Sequence, residues 1–155
     1  MVGDGDDREW LRGNLPGVEL PGVLRGEALA RAYANMDVFV FPSETDTFGN
    51  VIQEALASGV PCVVSALGGP KYLVQHGETG FVAPTREAYA DSVAVLMRNP
   101  HLLQTMKAKA RRAAEGREWK AVFEGVYTRY EGYLSTQTKQ VDLVSHDFHR
   151  KDNAR

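Results

Sequence analysis

Two carboxylates, Asp46 and Glu54, are separated by seven residues that include Phe48 and Gly49. The pattern predicts a loop over 43–47 that feeds a helix over 49–58. Asp46 then stands just before the helix N-terminus, and Glu54 lies about a turn and a half inside it, so the two acids occupy different depths along one crevice. The free N–H groups near Gly49 and Asn50 and the positive end of the helix dipole suit an anion such as a diphosphate, and Gly49 permits its close approach. Asp46 can accept hydrogen bonds from neutral polyol hydroxyls. Deeper in the crevice, the two oxygens of Glu54 match two adjacent hydroxyls of a ribose. A nucleotide-sugar carries its groups in this order.

Other residues that could do chemistry have simpler readings. Gly3-Asp4-Gly5 is more often a turn than a phosphate cradle. Lys71 reads as a solvated lysine, Cys62 as a small core residue in mid-strand, and His76 beside Gly77 as part of a turn. His146 and His149 are two ligands in a polar tail, which do not make a metal site. As a lone cysteine, Cys62 also excludes an internal disulfide, which favours a reducing, cytoplasmic compartment.

The elements around the acids alternate. Residues 1–6 read as the end of a strand followed by a tight turn, so the strand's earlier residues are expected to be missing. A short helix over 7–15 and a short strand over 18–20 follow. A helix over 27–36 has Leu29, Ala32, Tyr33 and Met36 on one face. The β-branched and aromatic run over 37–42 predicts a central strand buried on both faces, and 61–66 predicts a second buried strand after the helix stop at Gly59. Gly68-Gly69-Pro70 turns into a short helix ending at Val74, and 81–83 forms a short strand. From Arg86 only helices are expected, with stripes at Ala90, Val93, Ala94 and Met97; at Leu103, Met106, Ala110 and Ala113; and at Trp119, Val122, Phe123, Val126, Tyr127 and Tyr130, all taken as core packing. The reading is one α/β domain over 1–135, a doubly wound parallel sheet, with a polar tail over 136–155. Ligands of such sheets sit outside the carboxyl ends of the strands.

Composition agrees with an ordinary globular chain. The 155 residues are 43% hydrophobic and 25% charged, and a net charge of −2 supplies no positive field for nucleic acid or an anionic membrane. The longest apolar runs are too short to span a bilayer.

The 41–59 segment resembles the hallmark of glycosyltransferase family 4, the group 1 transferases, in which two acids separated by seven residues bracket a Phe-Gly. The similarity extends through Val2-Gly3-Asp4-Gly5, 37–43, Gly59-Val60-Pro61, Gly68-Gly69-Pro70-Lys71, 76–82 and 119–134. The resemblance implies a Rossmann-like C-terminal half of a GT-B fold. It implies that Asp46 contacts sugar hydroxyls, that Glu54 contacts the ribose, and that the segment Thr47, Phe48, Gly49 and Asn50 supports the diphosphate through its amides from Phe48 on. It further implies that Gly22, Val23 and Leu24 border the base and that Gly68 and Gly69 line the crevice floor. The reaction implied is transfer of a hexosyl group from an NDP-sugar of UDP or GDP type, with retention, without cofactor or bound metal, by an enzyme that is cytoplasmic or at the membrane surface.

The sequence departs from the family pattern in three ways. The first acid is usually Glu rather than Asp46, and Tyr72 replaces a Glu common after the Gly-Gly turn. The Arg and Lys that neutralise the leaving diphosphate belong to a first strand upstream of residue 1, as does an N-terminal acceptor domain. The 155 residues alone are therefore expected to bind donor without transferring it, because electrostatic stabilisation of a leaving group is often the largest catalytic contribution. Loss of a central strand leaves two unpaired edges, so the sheet is expected to close directly, borrow a strand or form a homo-oligomer edge to edge. The alternatives are a non-catalytic nucleotide-sugar-binding or interaction module and a GT-B sugar epimerase fragment.

Overall fold

The computed structural model describes residues 1–117, 120 and 123–134, grouped into two compact units, Met1–Glu115 and Gly116–Arg155. Trp119, Val122, His146, His149 and the tail over 136–155 lie outside the described residues.

In the first unit α1 spans Arg8–Asn14 and α2 spans Gly26–Ala34. Strand β1, Phe39–Phe41, leads through the 42–49 loop into α3, Asn50–Ala57, and back to β2, Cys62–Ser65. A 3₁₀ turn at Pro70–Tyr72 precedes β3, Gly80–Ala83, and helices α4, Arg86–Arg98, and α5, Pro100–Glu115, complete the unit. The three strands form a parallel sheet in the order β1-β2-β3, with Phe39 opposite Cys62 and Cys62 opposite Gly80. Parallel neighbours need crossovers, and α3 is the crossover between β1 and β2.

The apolar period of α3 decides which side of it is buried. Ile52, Ala55 and Leu56 are fully buried and pack with Cys62 and Val64 of β2, Tyr33 of α2 and Ala110 of α5. The helix closes with the Gly59 and Val60 amides donating to the Leu56 and Ala55 carbonyls, a Schellman end. Arg111 of α5 donates to the Ala57 carbonyl, and Lys107 pairs with Asp37 at 2.7 Å, so α5 braces both the end of α3 and the entry to β1.

Four expectations are corrected. Residues 18–20 form no strand; among the described residues pairing on that side is the parallel bridge Val2–Gly22, because Gly22 at φ +81° breaks the extended run before a ladder can form. Strand β1 is an edge of its sheet rather than a central strand. Val40 is 44% exposed although its register partner Val63 is fully buried, because no further described strand pairs with β1. The inward face of α4 carries Tyr89, Ser92, Val93 and Leu96, with Leu96 fully buried, while Ala90 and Met97 point to solvent. The sequence pattern admitted two neighbouring stripes, and the placement of α4 against β2 and β3 selects one. In the second unit residues 123–134 are helical, and Phe123, Val126, Tyr127 and Tyr130 are exposed rather than core, since among the described residues of that unit no second element packs on this helix. The stripe on α5 is as expected, with Met106 and Ala110 buried.

Candidate functional site

The loop between β1 and α3 begins where the Tyr89 hydroxyl reaches the Phe41 carbonyl at 3.4 Å. Asp46 is half-buried and its Oδ1 accepts from the Phe48 amide at 3.0 Å, closing a tight Asx turn over Thr47. The sequence reading expected Phe48, Gly49 and Asn50 to offer amides in common; one of these, that of Phe48, is held by Asp46. Gly49 is buried at φ +79°, in the left-handed region that L side chains avoid, and redirects the chain into α3. No side chain caps this helix end; the Ile52 amide donates to the Gly49 carbonyl at 2.9 Å, and the Asn50 and Val51 amides before it have no intrahelical acceptor. Phe48 is half exposed beside them. The arrangement leaves a positive helix end flanked by a carboxylate with one oxygen engaged and the other available.

Glu54 lies in the middle of α3 with an exposed side chain, between the buried Leu56 and Ala55 on one side and Gln53 on the other. Burial raises the Tyr33 pKa first, and the Glu54 carboxylate raises it further. The Tyr33 ring is 6% exposed and packs at 5.8 Å from Phe39 with an interplanar angle of 59°. Sequence reasoning placed Tyr33 on the core face of α2, and the structure buries it there.

Gly68 and Gly69 press against the loop from beneath. The Gly69 amide donates to the Asp46 carbonyl at 2.9 Å, and a Cβ on Gly69 would stand 1.8 Å from the Thr47 carbonyl oxygen. The loop that carries Asp46 can therefore take this path only above a residue without a side chain. That structural role was not legible in the sequence, where the pair read as crevice floor.

On the N-terminal side, Gly22 is buried and its carbonyl accepts from the Gly3 amide at 2.9 Å. Val23 is 61% exposed and Leu24 half-buried. Arg8 holds this corner together, donating to Asp4 at 3.1 Å and to the Leu20 carbonyl at 3.1 Å. A cavity of about 260 Å³ opens between residues 1–8, Leu11 and Leu20. It does not include Asp46 or Glu54.

The remaining candidates are structural. Burial pushes the Cys62 thiol up to about 12. His76 Nδ1 accepts from the Val82 amide at 3.1 Å, and its ring stands edge-on to Phe81 at 5.5 Å. Lys71 Nζ lies 5.1 Å over the ring of the exposed Tyr72. Among the described residues no group of His, Cys, Asp and Glu could hold a metal ion, and no helix is long and apolar enough to cross a membrane.

Residues 1–99 match the family model described as glycosyl transferases group 1. A GDP-mannose-dependent alpha-mannosyltransferase of Mycobacterium tuberculosis (strain CDC 1551 / Oshkosh) is 40% identical over 143 residues, covering 90% of this chain and 37% of the relative. Sucrose-phosphate synthase from Thermosynechococcus elongatus superposes with a TM-score of 0.70 at 26% identity, covering 87% of this chain and 38% of that one. Anabaena HepE, solved in complex with UDP and glucose, superposes with a TM-score of 0.65 at 23% identity over 87% of this chain and 39% of that one, a likeness of fold. The chain thus spans little more than a third of the length of each of these three proteins.

Proposed function

The chain belongs to the group 1 glycosyl transferases, and from that premise we propose that it is the donor-binding half of a retaining hexosyltransferase whose donor is a GDP-linked sugar. The observation that carries this reading is the loop from Asp46 to Gly49, held down by Gly69 at an uncapped helix end, with Glu54 farther along the same helix. In this reading the free oxygen of Asp46 accepts from sugar hydroxyls, the amides of the first turn of α3 take the diphosphate, and Glu54 takes the ribose. Gly68 and Gly69 hold the loop that carries Asp46, and Gly22, Val23 and Leu24 border the base. The GDP preference rests on the mannosyltransferase relative.

The acceptor and the groups that neutralise the leaving diphosphate belong, in this proposal, to the remainder of a longer protein. The 155 residues by themselves then bind donor without turnover, and the open β1 edge is covered by a further strand of that longer protein or, in its absence, by a second copy of the chain.

Ligand-observed NMR with GDP, UDP and ADP, repeated on Glu54→Ala, tests the assignment. GDP is expected to bind most tightly and to weaken about tenfold in the variant, the effect of losing hydrogen bonds to a charged group. Unchanged nucleotide binding in the variant removes Glu54 from the site, and absence of any nucleotide binding removes the donor-half reading.

A further inference from the structure

Three of the four residues of β2, Cys62, Val63 and Val64, are apolar and fully buried, but the last is Ser65, a polar residue that is 4% exposed. Burying a hydroxyl costs free energy unless it is hydrogen-bonded. The Ala66 amide still pairs with the Ala83 carbonyl at 3.0 Å, so the chain leaves the sheet at Leu67. There Ser65 Oγ accepts from the Leu67 amide at 3.0 Å, closing a turn over Ala66. Gly68, in the left-handed region at φ +72°, then redirects the chain beneath the 42–49 loop. The Gly69 amide donates to the Asp46 carbonyl at 2.9 Å, and a Cβ on Gly68 would stand 2.8 Å from the Glu44 carbonyl oxygen and 3.0 Å from that of Asp46. The Ser65 hydroxyl thus fixes the turn whose two glycines seat the loop at Asp46. Helix α3 is anchored differently, through the buried Ile52, Ala55 and Leu56. Loosening the turn therefore frees Asp46 and leaves the helix in place.

We propose that Ser65 is a positioning residue for Asp46, holding, through the 66–69 turn, the loop from which the Asp46 carboxylate receives the sugar hydroxyls of the donor. The proposal rests on the sugar assignment made above for Asp46. Ser65 itself touches no ligand; it fixes the seat of the loop before the donor arrives, so less freedom is lost on binding.

The test compares GDP-mannose with GDP by calorimetry on the full chain, for the unmodified protein, Ser65→Ala, Ser65→Thr, Asp46→Asn and the double variant of Ser65→Ala with Asp46→Asn. A thermal melt of each reports its folding. Ser65→Ala is expected to lower the ratio of GDP-mannose affinity to GDP affinity about 3- to 10-fold, the worth of one hydrogen bond, with GDP itself changed less than about twofold. Ser65→Thr keeps the hydroxyl and should restore the ratio. Once Asp46 is Asn, Ser65→Ala should lower the ratio no further. Should Ser65→Ala weaken both ligands equally, or neither, the positioning role is overturned while the sugar role of Asp46 stands. A loss that a folded Ser65→Thr does not repair assigns the effect to volume and overturns it as well. Should Asp46→Asn leave the ratio intact, the sugar assignment itself falls, and the role of Ser65 falls with it. If Ser65→Ala does not fold, Ser65→Cys, close to serine in shape but a weaker acceptor, is read by the same outcomes. If that variant also unfolds, the hydroxyl belongs to architecture and the proposal is overturned.

Discussion

Gly69 lies directly under Thr47: a Cβ on it would come within 1.8 Å of the Thr47 carbonyl oxygen and 2.4 Å of its carbon, while its amide donates to the Asp46 carbonyl at 2.9 Å. The neighbouring atoms are backbone and cannot swing aside. Gly69→Ala is therefore expected to push the 42–49 loop off its seat and to destabilise the protein by about 2–3 kcal/mol, the range of overpacking in a tight site. Thermal unfolding and nucleotide titration check this, and both should fall together; a variant with unchanged melting would mean that the loop is not braced from beneath.

Asp46 has a structural and a ligand-facing part, which separate by substitution. Asp46→Ala releases the Phe48 amide bonded at 3.0 Å and is expected to cost about 1 kcal/mol, as loss of a capping oxygen does. Asp46→Asn retains an acceptor for that amide. It should melt as the unmodified protein does, yet bind an NDP-sugar less tightly relative to the bare nucleoside diphosphate. Equal losses for both ligands would show that Asp46 does not face the sugar.

Gly49 enters α3 at φ +79°, and a Cβ there would meet Ile52 Cδ1 at 2.9 Å. The flexible end of Ile52 can yield, but the backbone conformation cannot be relieved in the same way. Gly49→Ala is expected to lose about 1–2 kcal/mol, the left-handed penalty for an L residue. Chemical denaturation reads this directly, and a neutral result would place Gly49 outside the left-handed region in solution.

Cys62 is fully buried, and its thiol is pushed up to about 12 by burial, from an ordinary value of 9.0. The unfolded chain releases this proton first, so between about pH 9 and 12 the folded state holds more protons than the unfolded one. The sign follows: the contribution of Cys62 to stability is fully present below about pH 9 and is lost as pH rises from there through about 12. The thiol should resist Ellman's reagent at pH 8 until denaturant is added; rapid labelling of the native protein would contradict its burial.

Much of the local organisation is legible in the amino-acid sequence because it depends on short-range regularities. The spacing of Asp46 and Glu54, the 3.6-residue period behind the buried Ile52, Ala55 and Leu56, and the apolar run at Cys62-Val63-Val64 each lie within one element, where periodicity is set by backbone geometry. The stripe on α4 shows the limit of that reasoning, since Ala90-Val93-Ala94-Met97 and Tyr89-Ser92-Val93-Leu96 are equally periodic and only packing against β2 and β3 chose the second. Strand β1 shows it again: an apolar run reads as buried on both faces, but whether Val40 is covered depends on its neighbours.

Two relationships were decided by tertiary structure alone. Thr47 rests on Gly69, and Arg8 joins Asp4 to the Leu20 carbonyl. Sequence patterns carry the types of residue that such contacts need, a glycine and a guanidinium. They do not carry the approach of two chain segments, because that distance is the joint result of every helix and strand that packs between them.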